Sequence, residues 1–318
     1  MPSSSILSSG AAVALFAQAA LAYTQVNVPV PFMTKNIDPI VFPGSFSKSH
    51  LHSFFGADGV TASTNKSSEL ANSCTNADNP NDLSIYWVPT FLYTKDGGKS
   101  YEPVPLSRFS AYYNLGETPA EVPFPQDLKM VAGKAEGTKP ADMPAAAKIE
   151  WNGFPSKTCD THVQTLLYFP QCVNEATLET AYKDRALGTP NWCPQGMKSM
   201  PQLRFSIRYD LRKVLPNGWD GVAPFKQACG DNIYCSHGDF INGWTPTAAK
   251  NMVATTSEKY HFAAVDGDKG KAGDKQTCKQ KDADPTHGTA NYAESVKLMG
   301  KRSVEAAGWT SRSRFIKI

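Results

Sequence analysis

LRFSIRYDL, residues 203–211, alternates strictly: Leu203, Phe205, Ile207 and Tyr209 are apolar or aromatic, while Arg204, Ser206 and Arg208 are polar. Successive side chains of a strand point to opposite faces, so this stretch predicts a strand with one face in a core. The same character extends outward along the chain. SIYWVPTFLYT (84–94) has the strongest strand composition by its aromatic and β-branched content. LSRFSAYYNL (106–115) and QTLLYFP (164–170) read as further strands, and residues 23–32, with two prolines, as an edge strand. KDGGKSYEPV (95–104) supplies a hairpin turn, its Asp96-Gly97-Gly98 suited to positive φ. DPIVFPG (38–44) predicts a short strand followed by a Pro-Gly turn, and residues 61–82 a polar loop.

Helix candidates are few. TLETAYKDRAL (177–187) is one, and TPTAAKNMVATTSEKYHFAA (245–264), capped by Thr245 or Thr247, is the other. Residues 266–284, rich in Gly, Lys and Asp, predict a mobile loop. Twenty-three prolines and twenty-three glycines punctuate many short strands. The expectation is a mainly-β single domain, a β-sandwich or jelly-roll-like core with long loops and a few peripheral helices. Its bounds are residues 23–265, followed by a loop-rich C-terminal extension over 266–318. Regular βαβ alternation is absent, which argues against a doubly wound fold.

The first 22 residues differ from the rest. AAVALFAQAALA (11–22) is apolar and ends in Ala20-Leu21-Ala22, the small-x-small form that signal peptidase accepts. As a helix it would span about 18 Å, short of a roughly 30 Å hydrocarbon core. A secretory signal over residues 1–22 and an extracellular mature protein with no membrane association are therefore expected. Seven cysteines would then meet an oxidising route, and none is spaced as C-x-x-C, so disulfides are expected before metal thiolates. Cys229 and Cys235 flank a turn-forming GDNIY, and Asn65-Lys66-Ser67 is a glycosylation acceptor. With 32 basic against 29 acidic residues the chain has no basic excess, which excludes nucleic acid as an expected partner.

Only six histidines occur, and two of them stand in SHLHS (49–53). On an extended segment His50 and His52 project from one face, roughly 7 Å apart at their bases. Either a metal or a proton-transfer role needs a further group. SHGDFINGW (236–244) offers it, with His237, Asp239 and Asn242 among glycines and aromatics. Histidines with a carboxylate suit zinc, copper or non-haem iron, so a divalent metal held by His50, His52 and His237 is the cofactor this pattern implies. Without a metal, His50, His52, His237 and Asp239 would act as catalytic acid or base, Asp239 orienting one imidazole. Tyr86, Trp87, Asn242 and Trp244 are the candidates to hold substrate, as aromatics and an amide suited to sugars. A Gly-x-Ser-x-Gly elbow and a phosphate-binding glycine loop are missing.

Several blocks occur together in order: NIDPIVFPGSFSKSHLHSFFG (36–56), SCTN with DLSIYWVPTFLY, PFPQDLKMVAG, the two FP-containing cysteine segments, MPQLRFSIRYD and HGDFINGW (237–244). In this order they resemble a secreted fungal family catalogued as a domain of unknown function, DUF1996, over residues 36–244. The resemblance implies an extracellular protein, sometimes joined to cell-wall-binding modules, with no assigned activity. It also implies that the S-H-x-H and H-G-D-F-x-N-G-W segments are the family's signature blocks. The chain departs from the pattern after Cys172, where VNEATLETAYKDRA stands in place of a Trp-Asp segment, and after Cys193, where a Thr-His-Pro is replaced. Two functions follow as expectations. One is a protein acting on extracellular or cell-wall polysaccharide, as a hydrolase or lyase with a histidine-based site. The other is a non-catalytic glycan-binding protein.

Overall fold

The computed structural model describes residues 23–114, 120–143, 154–158, 162–186, 189, 192–254 and 262–305. The expected signal segment over 1–22, Cys159 and the end of the C-terminal extension lie outside the described residues. Labels below follow chain order. The larger sheet contains β2 (Met33–Lys35), β3 (His52–Gly56), β4 (Ile85–Pro89), β8 (Lys129–Gly133) and β15 (His237–Ile241). Its spatial order is β2-β3-β4-β15-β8. A four-stranded sheet in the order β1-β7-β13-β9 is built from β1 (Tyr23–Val28), β7 (Leu106–Asn114), β9 (Val163–Tyr168) and β13 (Gln202–Tyr209). Two small sheets complete the β structure. One joins β5 (Phe91–Tyr93), β6 (Glu102–Pro103) and β14 (Phe225–Gln227); the other joins β10 (Cys172–Val173), β11 (Thr180–Ala181) and β12 (Lys198–Ser199). All pairings between these strands are antiparallel.

The alternation along residues 203–209 decides the packing. Leu203, Phe205, Ile207 and Tyr209 of β13 are buried in one cluster with Phe109, Ala111 and Tyr113 of β7. Facing them from the five-stranded sheet are Phe55, Tyr86, Met130 and Phe240. The two sheets thus close on a shared apolar layer, a mainly-β sandwich. The sheets pack tightly at Gly238, where a β-carbon would lie 2.5 Å from Leu167 and 2.9 Å from Phe205. The opposite face of the five-stranded sheet buries a second cluster, in which Phe54, Ile85, Trp87 and Ile241 meet Ile37, Val60 and Leu70 from the covering loops.

Several local expectations change. The 84–94 stretch is two strands, broken at Thr90: Pro89 has no amide hydrogen to continue the ladder, and β5 turns into another sheet. DPIVF is a turn instead of a strand, because the Asp38 carboxylate accepts from the amides of Ile40 (3.0 Å) and Val41 (2.9 Å). TLETAYKDRAL is not helical; Asn174 accepts from the amides of Ala176 and Thr177, Leu178 adopts φ 61°, and β11 pairs with β10. A disulfide at Cys172–Cys193 closes that excursion. The later helix candidate forms in its first half, as α1 (Pro246–Ala254), with Pro in its first turn and the Ala249 amide bonded to the Thr245 carbonyl; residues 255–261 lie outside the described residues and 262–264 are not helical.

The C-terminal extension is tied down. Cys278 bonds to Cys74, Lys35 pairs with Asp282 at 2.6 Å, and the Ala62 amide donates to Asp284 at 2.8 Å. The final element, α2 (Tyr292–Glu305), packs on the short turn Phe46–Lys48. A third disulfide joins Cys229 to Cys235, as their turn-flanking positions predict.

Candidate metal centre

His52 stands opposite Pro89 across β3 and β4, and Asp239 stands opposite Trp87 across β15 and β4. Continuing the second register by two residues places His237 opposite Pro89 as well. The two imidazoles therefore rise from strands on either side of β4 and meet above a proline, whose compact ring leaves room for them. His50, two residues before His52, adds its ring from the same side. The ring centroids of His50 lie 4.2 Å from His52 and 4.9 Å from His237. One nitrogen from each of the three lies within 4.8 Å of the others. All three side chains are buried, His50 the least at 7% exposure.

The ring orientations are set by backbone carbonyls. His52 Nδ1 lies 2.9 Å from the Ile37 carbonyl oxygen, and His237 Nδ1 lies 2.7 Å from that of Cys235. A carbonyl oxygen only accepts, so each Nδ1 must carry the proton and donate it. Each Nε2 is then a lone pair, and the two Nε2 atoms face one another at 3.4 Å. Two acceptors at that distance repel unless a cation stands between them. An edge of a tetrahedron of nitrogens about 2.0–2.1 Å from zinc measures about 3.3 Å. A ligating histidine whose other nitrogen donates to a carbonyl is also the usual second layer of a metal site. Burial pushes His50 and His52 well below the ordinary imidazole range, with their neighbouring imidazoles adding to it, and lowers His237 to about 4. The rings are thus neutral near pH 7, the form that binds metal.

Asp239 is fully buried, and neither of its oxygens has a hydrogen bond; Oδ2 lies 3.7 Å from His237 Nε2. Burial, reinforced by the nearby Asp38 carboxylate, pushes its pKa well above the usual range. Across the register, the ring nitrogen of Trp87 is also buried without a partner, as is His50 Nε2. A buried carboxyl normally meets hydrogen-bond partners, so the bare Asp239 oxygens beside the two Nε2 lone pairs mark a place that a cation would satisfy, whereas the Trp87 indole N–H is a donor and has no part in it.

Sequence reasoning and structure agree on bringing His50, His52, His237 and Asp239 together. They differ on Asp239, which does not orient an imidazole: 3.7 Å is beyond hydrogen-bonding distance. The orienting groups are the carbonyls of Ile37 and Cys235, backbone atoms that leave no mark in residue type. The four substrate candidates also need correction, because none offers a face to a cleft. Tyr86 points into the layer between the sheets, where its hydroxyl bonds Asp82 and Tyr113. Trp87 stacks on Phe54 at 5.6 Å, and Trp244 meets Tyr113 edge-on. Asn242 is spent on the Pro125 carbonyl and the Trp244 amide. Each is fully buried.

A family model described as a domain of unknown function (DUF1996) matches residues 38–244. No curated protein and no solved structure matches the chain.

Proposed function

The chain belongs to the DUF1996 family, and from that premise we propose that His50, His52 and His237 bind one transition-metal ion at the functional centre of a secreted protein that acts on extracellular polysaccharide. The observation that carries the metal is the pair of Nε2 lone pairs facing at 3.4 Å, each fixed by a carbonyl behind it. Neutral imidazoles suit zinc or copper. Three such ligands leave a fourth position for water or substrate. In such a centre the metal would polarise a bound water or a sugar oxygen, for hydrolysis or elimination. Export is supported by the N-terminal sequence and by three disulfides.

Metal analysis tests the centre. Purified protein should carry about one equivalent of metal per chain, or take up one equivalent of added zinc after chelation. His52→Ala and His237→Ala should each lose most of it. Equal content in all three proteins would end the reading. A second reading, a glycan-binding protein whose metal only braces the fold, is favoured by enclosure: no ligand exceeds 7% exposure. Product formation from cell-wall polysaccharide separates the two. Metal-dependent turnover supports catalysis, while binding without turnover supports the bracing role.

A further inference from the structure

We propose that the outer face of the four-stranded sheet binds an acidic polysaccharide, with Arg108, Arg204 and Arg208 taking its uronate carboxylates. Residues that do not enter the core lie on this face by alternation. Arg208 pairs directly with Arg108, and Arg204 with Tyr112. Placing two guanidinium groups opposite each other in an antiparallel pair is unfavourable unless something anionic meets them. Among the described residues no carboxylate does so, and the Nε atoms of all three arginines are buried without a hydrogen-bond partner. Each guanidinium is a planar fork that matches a carboxylate with two parallel bonds.

The ground between the arginines suits a sugar chain. The Arg204 guanidinium carbon lies 4.2 Å over the Tyr112 ring centre, a contact that limits its freedom before binding. Amides and hydroxyls lie alongside: Ser110 donates to Asn27 at 2.8 Å, and Gln164 donates to Ser206 at 2.8 Å. The two serines are buried, so the half-buried amides of Asn27 and Gln164 are the groups placed to meet sugar hydroxyls. Arg204 and Arg208 are four residues apart on one strand, about 13 Å, a span for a few linked rings. The face continues at its β1 edge into a cleft of about 480 Å³ whose lining includes Asn76, Arg108, Lys275 and Gln276, together with Asp78, whose carboxylate is engaged by the backbone and side-chain amides of Asn27. Nucleic acid fits less well, because the chain as a whole has only three more basic than acidic residues.

The ligand class rests on the polysaccharide reading above, but the binding face does not depend on the metal. Isothermal titration calorimetry with an oligogalacturonate, a neutral gluco-oligosaccharide and a single-stranded oligonucleotide tests it. The oligogalacturonate alone should bind, and more weakly as salt is raised. Arg108→Gln and Arg208→Gln should each weaken it by about tenfold or more, and Arg208→Lys by less than Arg208→Gln. Wild-type protein titrated with and without a chelator should bind it equally, which separates this face from the histidine centre. Arg204→Gln also removes a ring contact; should it fail to fold, the other two variants decide. No uronate binding, equal binding of the neutral sugar, or unchanged affinity in the arginine variants would overturn the proposal. Equal affinity for the oligonucleotide would overturn the glycan assignment in favour of general polyanion binding.

Discussion

Asp82 illustrates how strongly single residues are conditioned by enclosure. It is fully buried beneath the core, accepts from the Ser84 amide and the Tyr86 hydroxyl, and has its pKa raised by burial to about 6. Between the unfolded value near 3.8 and about 6 the folded state therefore binds more protons than the unfolded chain. Stability from this group is present at low pH and is lost as pH rises through that window, by about 3 kcal/mol for a shift of this size. Urea midpoints of the wild type and Asp82→Asn, compared from pH 4 to 7, should show the difference: the variant lacks this loss. Parallel curves would refute it. The histidines shift oppositely, since burial lowers them, so only the difference between the two proteins isolates Asp82. At this scale residue type and spacing made His50, His52 and His237 legible as partners. The carbonyls of Ile37 and Cys235, which fix the rings, were not, because every residue has a carbonyl and only the fold aims one.

β15 is the element on which both faces of the sandwich depend. His237 and Asp239 project to the outer face, while Gly238 and Phe240 project toward the four-stranded sheet. Gly238 packs tightly against that sheet, and its alternation between two site residues was visible in HGDFINGW. The reason it must be glycine was not visible, because Leu167 and Phe205 come from distant strands. Gly238→Ala puts a methyl group 2.5 Å from the end of Leu167. Overpacking of this kind costs about 1–3 kcal/mol. Thermal unfolding should record that loss, and Leu167→Ala in the same chain should recover part of it. An unchanged melting temperature would mean the sheets separate more freely than this contact implies. The broken strand at Thr90 and the absent helix at 177–187 teach the same lesson. Local composition proposes an element, and pairing partners or a disulfide decide whether it persists.

At the scale of the whole molecule, the C-terminal segment acts as a strap across the loops on the outer side of the five-stranded sheet, including the one that carries Ile37. Cys278 is bonded to Cys74, the Lys281 amide donates to Asp58 at 3.0 Å, and the Thr289 amide donates to Asn36 at 2.6 Å. Asn36 is next to Ile37, whose carbonyl holds His52. The disulfide closes a sequence separation of 204 residues, which chain entropy values at about 5 kcal/mol. Replacing both cysteines by serine should therefore lower the unfolding temperature, make residues 266–290 the first site of limited proteolysis, and weaken metal retention. A proteolytic pattern identical to the wild type would show that the other contacts hold the strap unaided. By itself the sequence determined the β-rich class, the strand faces and the pairing of two histidine-bearing blocks, because alternation and turn chemistry are local properties of the chain. Only the tertiary structure decided that the rings converge above Pro89, that the aromatic candidates are core, and that three arginines share an outer face. Those outcomes depend on which distant strands lie side by side, and register across a sheet is fixed by packing over its whole area.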